Sequence, residues 1–157
     1  METVTLALGN FAPPTPAPRC YACKKPALRV EARTVSRTLD GQRYEAMIPA
    51  DVCGACGEAT FAADDLGRFE EAVTLALVDV GAGGPDAVRW LRKRAGLSGV
   101  ALASALDVTP ETVSRWESGK HPVDRATVFV LGVLALATDA ERAALLARLR
   151  APHASAA

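Results

Sequence analysis

Apolar residues recur at three- and four-residue steps through the C-terminal two thirds of the chain, and each recurrence predicts a helix. Leu66, Phe69, Val73, Leu77 and Val80 lie on one such stripe in residues 62–80, behind Asp64 and Asp65, which suit the positive end of a helix dipole. Gly81 to Gly84 stops this helix and reads as a hinge and domain boundary. Pro85 opens a second helix through Ala87, Val88, Trp90, Leu91 and Arg94, which ends at Gly96. Ser98 caps a third, whose apolar face is Val100, Leu102, Ala103 and Leu106. Asp107 and Val108 break the pattern, and Thr109-Pro110 restarts it with an N-cap and a proline at the first helical position. Val113 and Trp116 give this fourth helix its inward stripe before Ser118-Gly119 ends it. Residues 122–137 form a helix that is apolar almost all round, and Asp139 to Arg150, with Leu145, Leu146 and Leu149, forms the last.

The period changes nearer the N-terminus. Ala27 to Leu39 is rich in Val, Arg and Thr with partial alternation, and Arg43 to Ile48 continues the style. Asp40-Gly41 between them is a strong short-range hairpin signal. Residues 1–18 end in F-A-P-P-T-P-A-P and read as a disordered, proline-rich tail, with V-T-L-A-L at its start a weak strand candidate. Residues 151–157 read as a second disordered tail.

Composition adds that the cores are small: half of the 157 residues are hydrophobic, but alanine is abundant and aromatics are 5%. No run reaches the roughly 18 apolar residues that cross a bilayer, and no basic-then-apolar leader is present, so a cytoplasmic, nucleoid-associated protein is expected. The formal charge of zero hides a division. Residues 63–84 hold Asp64, Asp65, Glu70, Glu71 and Asp79 against Arg68 alone, whereas Arg89, Arg92, Lys93, Arg94, Arg115, Lys120 and Arg125 follow. A locally basic face governs phosphate contacts more than the whole-chain sum does, and the Arg92-Lys93-Arg94 cluster is placed to touch a nucleic-acid backbone.

Four cysteines frame the hairpin as Cys20-x-x-Cys23 and Cys53-x-x-Cys56. In a reducing compartment such pairs bind metal or do redox chemistry more readily than they form structural disulfides. Two pairs about thirty residues apart suit one tetrahedral tetrathiolate zinc site per chain, with Gly54 and Gly57 leaving room for backbone N–H groups to approach the sulfurs. A module of about forty residues cannot bury enough surface to fold alone, and structural zinc would supply roughly 10–16 kcal/mol. A rubredoxin-like iron site uses the same ligands, and a dithiol redox motif would want a βαβ unit that the pattern lacks. A nucleic-acid-binding zinc ribbon with Lys24, Lys25, Arg29, Arg33, Arg37 and Arg43 as its basic side also fits.

The third and fourth helices leave Glu111, Thr112, Ser114 and Arg115 outside, which is what a DNA major groove admits. Leu102-Ala103 followed by V-T-P-E-T-V-S-R-W-E-S-G-K, residues 108–120, closely resembles the helix-turn-helix of the XRE (Cro-type repressor) family over roughly residues 86–136. An apolar helix at 122–137 in so small a domain must be covered, and a two-fold partner is the economical cover for a reader of two half-sites.

The order of a Cys-x-x-Cys…C-G-A-C-G-E module, a linker and V-S-R-W-E-S-G resembles the MqsA (YgiT-type zinc finger) antitoxin family over roughly residues 19–150. The resemblance implies Cys20, Cys23, Cys53 and Cys56 as zinc ligands and a zinc module that binds and neutralises a small ribonuclease-like toxin. It implies a C-terminal homodimer on a palindromic double-stranded operator. Arg115 would be the main base reader, with Glu111 and Thr112 beside it and Lys120 and Ser98 nearer phosphates. Thr109 and Ser114 complete the candidate DNA contacts. The chain departs from that family at Tyr21 and Lys24, which stand for Pro and Gly, and at Gly99, which stands for a docking Gln. Glu111 stands where an amide is common, so it would accept from cytosine and not read adenine.

The expected fold is α+β in two domains: a small zinc-ribbon-like β-hairpin module at 19–61 and an all-α, five-helix helix-turn-helix bundle at 85–150. A helical linker and glycine hinge at 62–84 join them. The expected function is a sequence-specific transcriptional repressor acting as a type II antitoxin. The alternative is a stand-alone XRE-family regulator with a structural zinc ribbon and no toxin. An enzyme is not expected, because no Ser/His/Asp set or catalytic carboxylate pair is present and four thiolates close a metal to substrate.

Overall fold

The computed structural model describes residues 2–11 and 19–151. The remainder of the two expected tails, residues 1, 12–18 and 152–157, lies outside the described residues. The chain divides into two compact units, Met1–Val73 and Thr74–Ala157, and the division falls inside helix α1 (Ala63–Val80). The glycine string lies within the second unit. Gly83 is packed into the second unit, where a Cβ would stand 2.9 Å from the Val123 carbonyl oxygen.

The first unit is built on the long hairpin of β2 (Leu28–Leu39) and β3 (Gln42–Cys53), paired antiparallel from Leu39↔Gln42 to Leu28↔Cys53. Asp40 and Gly41 make its two-residue turn with φ of 49° and 79°, the conformations that follow the right-handed twist of the strands. β3 runs five residues past the predicted end at Ile48, because Pro49 does not stop it. β1 (Thr3–Thr5) covers residues 43–45 on the other edge of β3 and β4 (Ala59–Phe61) covers 50–52. Pro49, which has no N–H to donate, falls in the gap between them.

β1 corrects the expectation of a disordered tail at its first residues. The open edge of β3 offers a ladder that three residues can fill in parallel, with the Arg43 N–H donating to the Glu2 carbonyl at 3.0 Å and the Leu6 N–H to that of Glu45 at 2.8 Å. Arg68 then fastens the following segment. Its guanidinium donates to the carbonyls of Leu8 (2.5 Å) and Asn10 (3.2 Å) and lies 4.6 Å over the Phe11 ring. Tyr44, Ala46, Ile48, Ala50 and Val52 fill the buried face of β3 at period two, and Phe69 and Val73 of α1 are buried in the same unit.

The second unit holds the rest of α1 and five helices: α2 (Pro85–Arg94), α3 (Gly99–Ala105), α4 (Pro110–Glu117), α5 (Arg125–Leu136) and α6 (Asp139–Leu149). Four of them start at a side-chain cap. Ser98, Thr109 and Asp124 accept from the N–H three residues on, and Thr138 and Glu141 form a reciprocal capping box. The Asp124 cap starts α5 three residues later than predicted. Val88, Leu91, Leu102, Val113, Leu131 and Leu134 are buried in the core. α5 passes so close to α1 that a Cβ on Gly132 would lie 2.1 Å from a Val78 methyl, so only glycine fits there. Two apolar residues leave their predicted stripes. Val80 is 71% exposed on the last turn of α1, and Val100 is 65% exposed because it lies about 200° around α3 from Leu102. The fold is α+β, and among the described residues no helix is long and apolar enough to cross a membrane.

Candidate metal centre and nucleic-acid interface

The hairpin brings the two cysteine pairs together. Leu28↔Cys53 closes the base of the β2–β3 ladder, and the Gly54 N–H donates to the Ala27 carbonyl at 2.8 Å, so the second knuckle leaves β3 beside the first. Each knuckle is a tight turn: the Lys24 N–H donates to the Cys20 carbonyl (2.9 Å) and the Gly57 N–H to that of Cys53 (2.8 Å). Both turns end in a left-handed residue, Lys24 at φ 62° and Gly57 at φ 78°.

All four sulfurs lie within 4.8 Å of one another, Cys20 and Cys56 at 3.7 Å and Cys23 and Cys53 at 3.6 Å. None is in a disulfide. Sulfurs about 2.3 Å from a tetrahedral ion stand about 3.8 Å apart, so the set fits one metal ion with four thiolate ligands. The electrostatics point the same way. The Ala55 N–H, 3.4 Å from the Cys53 sulfur, lowers that thiol to about 6 against the cost of burial, helped by the Cys56 N–H and the thiols of Cys23 and Cys56. Cys56 is pushed up to about 12: the Glu58 N–H pulls it down, but burial and the thiols of Cys23, Cys53 and Cys20 outweigh that pull. Thiolates packed this closely need a cation to take up their charge. Backbone N–H groups do approach the sulfurs beside these glycines, that of Ala55 reaching Cys53, while the N–H groups of Gly54 and Gly57 themselves bond the carbonyls of Ala27 and Cys53.

In the second unit α3 and α4 form the helix-turn-helix. Asp107 takes a left-handed conformation (φ 52°), and the Val108 N–H returns to the Ala103 carbonyl at 3.0 Å, which turns the chain sharply between them. Ala103 is buried, as are Val113 and Trp116 on the inner face of α4. At the end of α4 the Lys120 N–H reaches back to the Arg115 carbonyl (2.9 Å) and that of Gly119 to Trp116 (3.1 Å), satisfying two terminal carbonyls.

The candidate DNA contacts sort into three pairs and one lone residue. Glu111 and Arg115 are exposed and joined by a 2.7 Å hydrogen bond from Nη2 to Oε1. Ser98 and Ser114 line, with Gly99, Val100 and Pro110, a hollow of about 400 Å³ between α3 and α4. Thr109 and Thr112 share a 2.9 Å hydroxyl contact, and the Thr109 hydroxyl also caps α4, so these two hold the helix start in place. Lys120 is exposed just past α4.

Arg92 is not placed to touch a phosphate backbone. Its side chain is 14% exposed and donates to both oxygens of Glu117 at 2.5 and 3.1 Å and to the Leu97 carbonyl at 2.7 Å. Arg89 adds a bond to the Glu117 carbonyl at 2.5 Å. This clamp of α2 on the end of α4 carries no sequence signal, since its partners are 25 residues apart and each reads alone as a surface charge. Lys93, its neighbour, stays exposed.

No curated protein matches the chain. Residues 86–145 match the helix-turn-helix domain family, the same span that forms α2 to α6 up to Leu145. The C-terminal unit is a helix-turn-helix DNA-binding domain of the XRE type, and the chain that carries it has a four-cysteine cluster fit to hold a metal ion in its N-terminal unit.

Proposed function

We propose that this chain is a dimeric, sequence-specific transcriptional repressor that acts as the antitoxin of a type II toxin–antitoxin pair. The observation that carries the DNA-reading part is α4 itself: Val113 and Trp116 are buried while Glu111, Ser114 and Arg115 stand in solvent. That leaves a polar helix face free for a major groove. Zinc is the ion we assign to Cys20, Cys23, Cys53 and Cys56, in a structural role, because four soft donors in tetrahedral spacing leave no open position for a substrate. On this reading the protein is not an enzyme.

The dimer rests on α5, where Phe129, Val133 and Leu136 are exposed along one face; Val133 and Leu136 border a hollow of about 550 Å³ shared with Leu145 of α6. An apolar stripe of this kind wants a cover, and a reader of palindromic half-sites supplies a second copy. The toxin rests on the module order described above, which places a metal-stabilised hairpin ahead of an XRE domain.

Gel-shift titration of the native chain on its own promoter tests the repressor. Arg115→Ala should weaken specific binding roughly 5- to 150-fold with the fold and dimer intact; unchanged affinity removes Arg115 from the site. Pull-down of the unmodified chain from its host should co-elute a small protein in stoichiometric amount. DNA binding with no such partner favours the stand-alone regulator.

A further inference from the structure

Glu111 and Arg115 stand one turn of α4 apart, about 6 Å along the axis, and are bonded to each other while both remain largely exposed, at 72% and 58%. Resting on the DNA-reading role proposed above, we propose that they act as one reading unit for a G·C-rich step. Arg115 takes guanine, and Glu111 takes a cytosine amino group no more than one base pair away.

The donor and acceptor inventory carries this. A guanidinium has five N–H groups; one is engaged by Glu111 Oε1, and those left suffice for a two-pronged fork onto guanine O6 and N7. The second oxygen of Glu111 only accepts. In the major groove, guanine presents two acceptors and thymine an acceptor beside a methyl, so neither can meet a carboxylate. Adenine offers its N6 amino group with the N7 acceptor beside it, which repels the carboxylate. Cytosine offers N4 with no acceptor next to it on its own edge. A carboxylate held 2.7 Å from the guanidinium thus selects cytosine next to the guanine that Arg115 reads.

Charge adds a second consequence. The pair is neutral, so Arg115 brings little net attraction to phosphates, and Glu111 repels them. The unit therefore lowers sequence-independent binding and acts through base edges. An exposed ion pair of this kind is weak, so its geometry adjusts cheaply on docking. Glu111 lies in the first turn of α4, where recognition-helix residues meet the bases and where the helix dipole favours a carboxylate.

The test is selection of duplexes from a randomised pool by the full chain, by Glu111→Gln and by Glu111→Ala, with sequencing of the bound fraction. The wild type should enrich a guanine with a cytosine at the same or the adjacent pair. Glu111→Gln should convert that single cytosine preference to adenine, which an amide reads at N6 and N7. Glu111→Ala should erase it without replacement and raise binding to unselected duplex several-fold. If both variants select the same bases as the wild type at every position, the reading unit is overturned while DNA recognition stands. If the wild type enriches nothing, both fall together.

Discussion

Lys24 and Gly57 occupy equivalent places, each ending a cysteine knuckle in the left-handed region, yet only one is glycine. A side chain with a Cβ costs roughly 1 kcal/mol there. Nothing lies within 4 Å of a Cβ built on Gly57, so the cost of Gly57→Ala is purely conformational. Gly57→Ala should destabilise the metal-loaded first unit by about 1 kcal/mol, and Lys24→Gly should stabilise it by slightly less, since it also removes the Lys24 ammonium from its place 4.8 Å over the Tyr21 ring. Thermal melts of the zinc-loaded protein check both signs. The sequence offered half of this: the spacing Cys-x-x-Cys marks the knuckle, but the backbone conformation that Lys24 must adopt is visible only in the turn.

At the scale of elements, the starts of α3 and α4 were legible because caps act within four residues. Ser98, Thr109 and the proline after it need nothing from the rest of the chain to mark a terminus. The Asp124 carboxyl is held below the usual carboxylate range by the Thr127 hydroxyl first and the Thr127 N–H next, and that of Glu141 by the Thr138 hydroxyl and N–H. A carboxyl depressed in the folded state adds stability that is present above its unfolded pKa of about 4 and is lost as pH falls through the lower folded value. Acid should therefore weaken the second unit below about pH 4. Asp124→Asn, which keeps the cap, should flatten that loss in unfolding curves taken as a function of pH. The Arg92–Glu117 clamp is the opposite case, a contact between elements with no local trace. Arg92→Ala and Glu117→Ala should each cost about 2–3 kcal/mol, and the double variant clearly less than their sum, because each single change strands a half-buried charge. A double-mutant cycle in urea measures the coupling, and strict additivity would show that the bond contributes nothing.

Over the whole molecule, two compact units share one helix, and only the first holds the cysteine cluster. Removing metal by chelation, or replacing Cys53 with Ser, should release one metal ion per chain and unfold the hairpin unit. The helical signal of residues 85–149 and operator binding should persist, since the core around Leu91, Leu102, Val113 and Leu131 contains no cysteine. Circular dichroism, metal analysis and a gel shift on the same sample check this. Retention of one metal per chain by Cys53→Ser would exclude the four-cysteine set.

The order of the hairpin and the six helices, the hairpin turn, the metal-ligand spacing and the polar face of α4 were determined by the sequence alone, because each is set by residues a few positions apart. Periodicity, capping and turn chemistry all act at that range. Four features waited on the tertiary structure: the pairing of Thr3–Thr5 with β3, the extension of β3 through Pro49, the exposure of Val80 and Val100, and the commitment of Arg92 to Glu117. Each depends on what another element offers at a distance, whether an open sheet edge, a gap between neighbouring strands, the absence of a cover or a half-buried carboxylate. A linear pattern holds no record of such distant partners.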